Sequence, residues 1–148
     1  MKKIKVYAII CARGGSKGIK NKNIKLFCGK PLISYSIKSA IKNKMIQKVI
    51  VSTDSEKIIK ISKFYGAYAP FKRPKKLAKD NSKEWLVWKH LINFMRDKND
   101  LPDVIISLPA TSPLRKDIDI TNCINKFIKN KKSDMLITVT KPHRNPYF

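Results

Sequence analysis

Apolar and polar positions alternate along this chain with two different periods. Residues 5–11, "KVYAIIC", form an almost unbroken apolar run rich in branched side chains, the pattern of a strand buried on both faces. In "PLISYSIKSAIKNK", residues 31–44, Pro31 suits the first helical position. Leu32, Ile33, Ser36, Ile37, Ala40 and Ile41 then fall on one helical face. "KVIVSTD", residues 48–54, predicts a second strand, and the helix "SEKIIKISKFYG" after it should stop at Gly66. A short extended piece, "AYAPFKRP", leads into "DNSKEWLVWKHLINFMRD". There Ser82 is the expected N-cap, and Trp85, Trp88, Leu91, Ile92 and Met95 form the expected buried stripe. "DVIISL", residues 103–108, predicts a third strand, "DIDITNCINKFIKN" a further amphipathic helix, and "DMLITVT", residues 134–140, a fourth strand.

Strands that alternate with helices of this length imply βαβ units, hence an α/β fold with a mostly parallel sheet covered by helices on both faces. No repeat, low-complexity tract or Pro/Gly-rich linker divides the chain, so residues 1–148 read as a single domain. Ligands of such sheets sit beyond the carboxyl ends of the strands. The loops after Cys11, Ser52, Leu108 and Thr140 therefore share one working edge.

Charge changes this picture less than its size suggests. Lys and Arg number 33 against 10 Asp and Glu, a formal +23. The cations are mostly lysines spread over the whole chain among many Ile and Asn residues, a mixture that A/T-rich codons also produce. Arginines are few and no basic stripe alternates with aromatics, so charge alone does not mark a nucleic-acid surface. Cys11, Cys28 and Cys123 lie far apart without CxxC spacing, which argues against a disulfide framework or zinc site. The apolar runs are strand-length, short of the ~20 residues that span a bilayer, and no signal-peptide pattern opens the chain. A cytoplasmic location is expected.

The stretch with most chemistry is the exit from the first strand, "ARGGSKGIKNKN", residues 12–23. Gly14 and Gly15 can adopt backbone angles closed to other residues, so successive N–H groups could form an anion cradle. Ser16 adds a hydroxyl, Arg13 a planar fork matched to phosphate oxygens, and Lys17 and Lys22 point charges. Together they could neutralise a triphosphate and the charge that builds as it is attacked. The spacing fits neither a Walker A loop nor G-x-G-x-x-G. A tight turn bearing solvated lysines would also produce this stretch.

With "VIVSTDS" at 49–55, "RPKKLAKD" at 73–80 and "TSPLR" at 111–115 following in order, this loop resembles the acylneuraminate cytidylyltransferase family, the CMP-sialic acid synthetases. The resemblance implies a Rossmann-like nucleotide-diphospho-sugar transferase fold. It also implies an enzyme that joins CTP to a nonulosonic, sialic-acid-like sugar, giving CMP-sugar and pyrophosphate for nucleotide-sugar biosynthesis. Carried over by residue, it implies that Arg13, Ser16, Lys17 and Lys22 hold the CTP phosphates. Arg13 and Lys22 would stabilise charge on the α-phosphate and the departing pyrophosphate. Asn23 would contact the nucleoside and Arg73 would position the base. A turn or cap role for Asn23, and a loop cation for Arg73, stay open beside these. Asp54 reads as a helix cap. Thr111 and Ser112 could donate to the sugar with Arg115 as counter-ion, although a tight turn explains them too. His143, next to Arg144, resembles the family's region near the sugar pocket, and a frayed tail explains it equally well. Mg2+ is the implied cofactor, with its ligands unassigned in this chain.

The sequence also departs from the family. Where L-Q-P is usual, residues 108–110 read "LPA", so Pro109 replaces a hydrogen-bonding side chain that faces the acceptor sugar. Lys83 and Glu84 stand where small residues are usual near the base. Legionaminic or pseudaminic acid is therefore as open as sialic acid. Family members continue past the equivalent of Phe148, into a part that supplies dimer contacts and an aspartate pair for magnesium. This chain is accordingly expected to be C-terminally truncated, and a homodimer is implied for a full-length protein. Asp117 and Asp119 resemble that pair but read as the start of a helix. The rival readings are a non-catalytic CTP- or sugar-binding remnant, a 3-deoxy-manno-octulosonate cytidylyltransferase, and a basic nucleic-acid-binding domain.

Overall fold

The computed structural model describes residues 4–140. Its centre is β1 (Val6–Cys11), flanked on one side by β4 (Lys48–Ser52) and on the other by β5 (Val104–Ser107). Both pairings are parallel, with Ala8 opposite Val49 and Ile106, and Ile9 opposite Ile50 and Ser107. Between β1 and β4 lie a small antiparallel hairpin, β2 (Leu26–Phe27) with β3 (Lys30–Pro31), and helix α1 (Leu32–Lys42). Helices α2 (Glu56–Phe64) and α3 (Glu84–Asp97) follow β4, and α4 (Asp117–Lys129) follows β5.

Alternation along β1 explains how a nearly all-apolar strand can be satisfied. Val6, Ala8 and Ile10 enter a core with Ile33, Ile37 and Ala40 of α1, Ile58 and Ile59 of α2, and Ile120 and Ile124 of α4. Tyr7 and Ile9 point the other way and pack with Ile50 and with Leu91 and Met95 of α3. Helices thus cover both faces, as the run of branched residues implied. The helix α2 ends as its pattern predicts: Gly66 has φ +89°, and the N–H of Ala67 reaches back to the Ser62 carbonyl at 2.9 Å.

Strand order reverses at β1, because the chain runs from β1 to β4 on one side and then crosses to β5 on the other. Such a reversal opens a crevice beyond the strand ends. The extended piece after α2 runs parallel to β4, with Tyr68 N–H donating to Val49 O at 2.8 Å and Arg73 N–H to Thr53 O at 2.7 Å. It delivers Arg73 to the same edge.

Four expectations need correction. Ser82 is not the cap of α3; the helix starts after Lys83, and the Ser82 hydroxyl is used inside the preceding turn, where it accepts from Lys79 N–H at 3.0 Å. Trp85 is half exposed, because the face of α3 turned to the sheet carries Val87, Leu91 and Met95 and leaves Trp85 on the other side. Ile41 is likewise exposed at the end of α1. Residues 134–140 form no strand. Among the described residues β5 pairs only with β1, so its outer edge stands open, yet this run does not join it and Met135, Ile137 and Val139 stay exposed; propensity alone does not dock a strand. His143 lies outside the described residues.

Candidate functional site

At the carboxyl ends of β1 and β5 lies an open cleft of about 440 Å³. Cys11, Arg13, Ser16, Lys17, Lys22 and Asn23 from the first loop line it, facing Arg73, Asp80 and Glu84, with Thr111 from the loop after β5. Residues far apart in sequence meet here because three parallel strands end together. The β1–β4 pairing continues to the mouth of the cleft, where Ala12 N–H donates to Ser52 O at 3.0 Å.

The loop is held from within. Asn23, buried in a short 3-10 turn (Lys22–Ile24), donates through its side-chain amide to the Arg13 carbonyl at 2.9 Å. One side of Asn23 is therefore a brace for the cation-bearing loop. Gly15 takes φ +59°, where a side chain would be strained. Gly14 is required for a different reason: a Cβ there would approach Ser55 Cβ at 3.2 Å. Its N–H donates to Asp54 Oδ1 at 2.8 Å, so that amide is committed within the protein and is not a free member of an anion cradle. Asp54 accordingly is not the cap of α2; Ser55 holds that position, without a side-chain capping bond.

Electrostatics divide the cations into two kinds. Arg13 and Lys17 both contact the carboxylate of Asp80, Lys17 Nζ at 2.7 Å, and these partners, Lys17 first and then Arg13, hold the Asp80 carboxyl below its ordinary range. Arg73 is 4% exposed, yet its side chain has no hydrogen bond or ion pair among the described residues, and its Nε is wholly orphaned. Burial, opposed by Cys11 and Asp54, lowers its affinity for the proton, although a guanidinium stays charged. A buried cation that feels Asp54 and Glu84 only at a distance, with no ion-paired or hydrogen-bonded anion, is costly unless something else supplies one. Beside it, burial pushes the Cys11 thiol up to about 11, so Cys11 is a neutral wall of the cleft and no nucleophile.

The residues after β5 divide differently from the expectation. Thr111 reaches the cleft. Ser112 is exposed. Arg115 turns toward α1, donating to Pro109 O at 2.6 Å and to Ser36 Oγ at 3.3 Å. Its fork is spent on bracing the loop, which leaves little of it for a sugar carboxylate. Asp117 and Asp119 open α4 as the pattern predicts, with Asp117 accepting from Lys42 Nζ at 2.9 Å. Among the described residues no three of His, Cys, Asp or Glu gather in one cluster.

Two contributors escaped the sequence reading. The Asp54 tie and the Asp80 ion pairs both bridge segments tens of residues apart, and no local spacing signals them.

Comparison with known proteins bears on the family and the fold. The family model described as cytidylyltransferase matches residues 7–146. The chain is 40% identical over 146 residues to the post-translational flagellin modification protein B of Campylobacter coli, covering 97% of this chain and 61% of that protein. It is 42% identical over 139 residues to a pseudaminic acid cytidylyltransferase of Campylobacter jejuni, covering 93% of this chain and 59% of the relative. It thus spans about three fifths of the length of these curated relatives. A solved CMP:2-keto-3-deoxy-manno-octonic acid synthetase complexed with CTP superposes with TM-score 0.69 at 21% identity, over 85% of this chain and 48% of that one. That likeness establishes a shared Rossmann-like fold. No helix among the described residues is long and apolar enough to cross a membrane.

Proposed function

Since this chain belongs to the cytidylyltransferase family, we propose that its cleft binds CTP and transfers the cytidylyl group to a nonulosonic acid, releasing pyrophosphate. The observation that carries this reading is the convergence of Arg13, Lys17, Lys22 and the buried, unpartnered Arg73 on one cleft. Arg13, Ser16 and Lys17 take the β- and γ-phosphates, and Lys22 the α-phosphate. Arg73, at the inner wall with Glu84, takes the nucleoside end. The base-side role of Asn23 is secondary to its brace on Arg13.

In the proposed step the sugar's anomeric hydroxyl attacks the α-phosphorus in line. An O–P bond forms, the α–β bridging bond breaks, and the hydroxyl proton passes to solvent. In this reading the cations of the loop meet the charge that grows on the leaving pyrophosphate, so the protein contributes position and field rather than a covalent intermediate. Magnesium accompanying the triphosphate would supply further neutralisation of phosphate charge. Thr111 lies on the side where the acceptor would enter, and Pro109 offers no side-chain donor or acceptor to it.

Pseudaminic acid is the first acceptor to test, because the C. jejuni relative is named for it; legionaminic and sialic acids complete the panel. Support for the 3-deoxy-manno-octulosonate alternative is confined to fold. Calorimetry with CTP and UTP, followed by pyrophosphate release with each acid, tests the reading. Selective CTP binding and release with one acid are expected. Failure to bind CTP, or release from none of the acids, would overturn it.

A further inference from the structure

The carboxylate of Asp80 occupies a place that the proposed reaction needs for phosphate. It contacts Arg13 and Lys17 together, one oxygen to each, and all three residues line the same cleft. A carboxylate and a phosphate offer a guanidinium the same pair of acceptor oxygens. Lys22, farther round the loop, has no ion pair among the described residues, and neither does Glu84, the other carboxylate in the cleft.

The segment that carries Asp80 is attached in a way that suits release. Its hydrogen bonds are local: Leu77 N–H to Pro74 O at 2.9 Å, Ala78 N–H to Lys75 O at 3.0 Å and Ser82 N–H to Lys79 O at 3.1 Å. The Ser82 hydroxyl adds bonds to Lys79 N–H at 3.0 Å and Lys76 O at 3.3 Å. None of residues 75–83 is buried. The ion pairs of Asp80 are thus the polar link from this segment to the cation loop. Breaking them would leave the turn's internal bonds intact, so the segment can swing as a unit.

We propose that Asp80 is a built-in stand-in for polyphosphate. Its carboxylate holds Arg13 and Lys17 together while the cleft is free, and incoming phosphates displace it and carry residues 75–83 outward. The stand-in keeps two cations from repelling each other and from recruiting stray anions, at the cost of a weaker first encounter with nucleotide. It rests on the polyphosphate reading of the cleft but not on the identity of the base or the sugar. The opposite role, in which Asp80 merely steadies two cations that bind phosphate beside it, makes the opposite prediction for affinity.

Inorganic pyrophosphate, titrated by calorimetry without divalent metal, separates the two. Asp80→Asn should bind it about three- to tenfold more tightly than the wild type, the size expected from freeing two exposed pairs. Glu84→Gln removes the same charge from the same cleft without breaking an ion pair, and should change affinity by less. Equal tightening by both variants, unchanged or weaker binding by Asp80→Asn, or no pyrophosphate binding by either protein would each overturn the proposal. If pyrophosphate behaves as expected while CTP does not bind, the stand-in survives and the cytidylyl reading falls.

Discussion

The backbone N–H of Gly14 donates to the carboxylate of Asp54 at 2.8 Å, tying the loop after β1 to the end of β4 across 40 residues. Asp54 is thereby a positioning residue for Arg13, its neighbour in the loop. Asp54→Ala should lower CTP affinity about tenfold, with a stability loss of about 1–2 kcal/mol, the worth of a charge-assisted bond that is partly exposed. Asp54→Asn keeps an acceptor and should recover most of both. Calorimetry and urea titration read the two effects, and equal losses in both variants would rule out the acceptor role.

Arg73 should show a trade between stability and binding. Arg73→Met removes a buried charge that has no partner while filling its volume, so stability should hold or rise slightly. CTP affinity should fall at least tenfold. A stability loss of several kcal/mol with affinity preserved would make Arg73 a structural residue instead.

At the opposite end of the sheet, Asp100 accepts from Tyr7 OH, Lys48 and Lys5, Lys5 Nζ at 3.2 Å. Lys48 first, then Tyr7, hold its pKa at about 2, below the ordinary 3.8. A depressed carboxylate pKa stabilises the fold above the unfolded value, and that stability drains as pH falls from about 4 to about 2. Discounted for partial exposure, it amounts to about 1–2 kcal/mol at neutral pH. Asp100→Asn should lose this at pH 7, and the gap to wild type should narrow below pH 4 and close only below about pH 2 in urea titrations. A pH-independent gap would contradict the linkage.

Arg115 provides a check on the loop after β5. Arg115→Ala removes the donors to Pro109 O and Ser36 Oγ, and should cost about 1–2 kcal/mol of stability. Should it instead raise the KM for acceptor sugar with stability untouched, the guanidinium would be a sugar contact after all.

Much of the fold could be read from periodicity. β1, α1, β4, α2, β5 and α4 each carry their partner-facing pattern in their own residues. What failed depended on neighbours. The run at 134–140 has a strand's composition, yet it pairs with no strand, not even along the open edge of β5. Trp85 lies in the first turn of α3, off the stripe of Val87, Leu91 and Met95, and which stripe meets the sheet is settled by packing rather than by apolar composition. The site followed the same division. Arg13, Ser16, Lys17 and Lys22 were legible because one loop holds them all, whereas Asp54 and Asp80 act through distances that only folding creates. Arg73 was legible as a residue, but its orphaned burial, which gives it weight, was not.

β1 is six residues long, with the Tyr7 cluster near its start and the cleft at its finish. The two polar assemblies share a rigid apolar spine and no side chain. Damage at the foot and damage at the mouth should therefore add without synergy, so a double variant such as Asp100→Asn with Arg73→Met would inherit each parent's defect whole. For an engineer, that makes the foot a handle for adjusting robustness while leaving ligand recognition untouched.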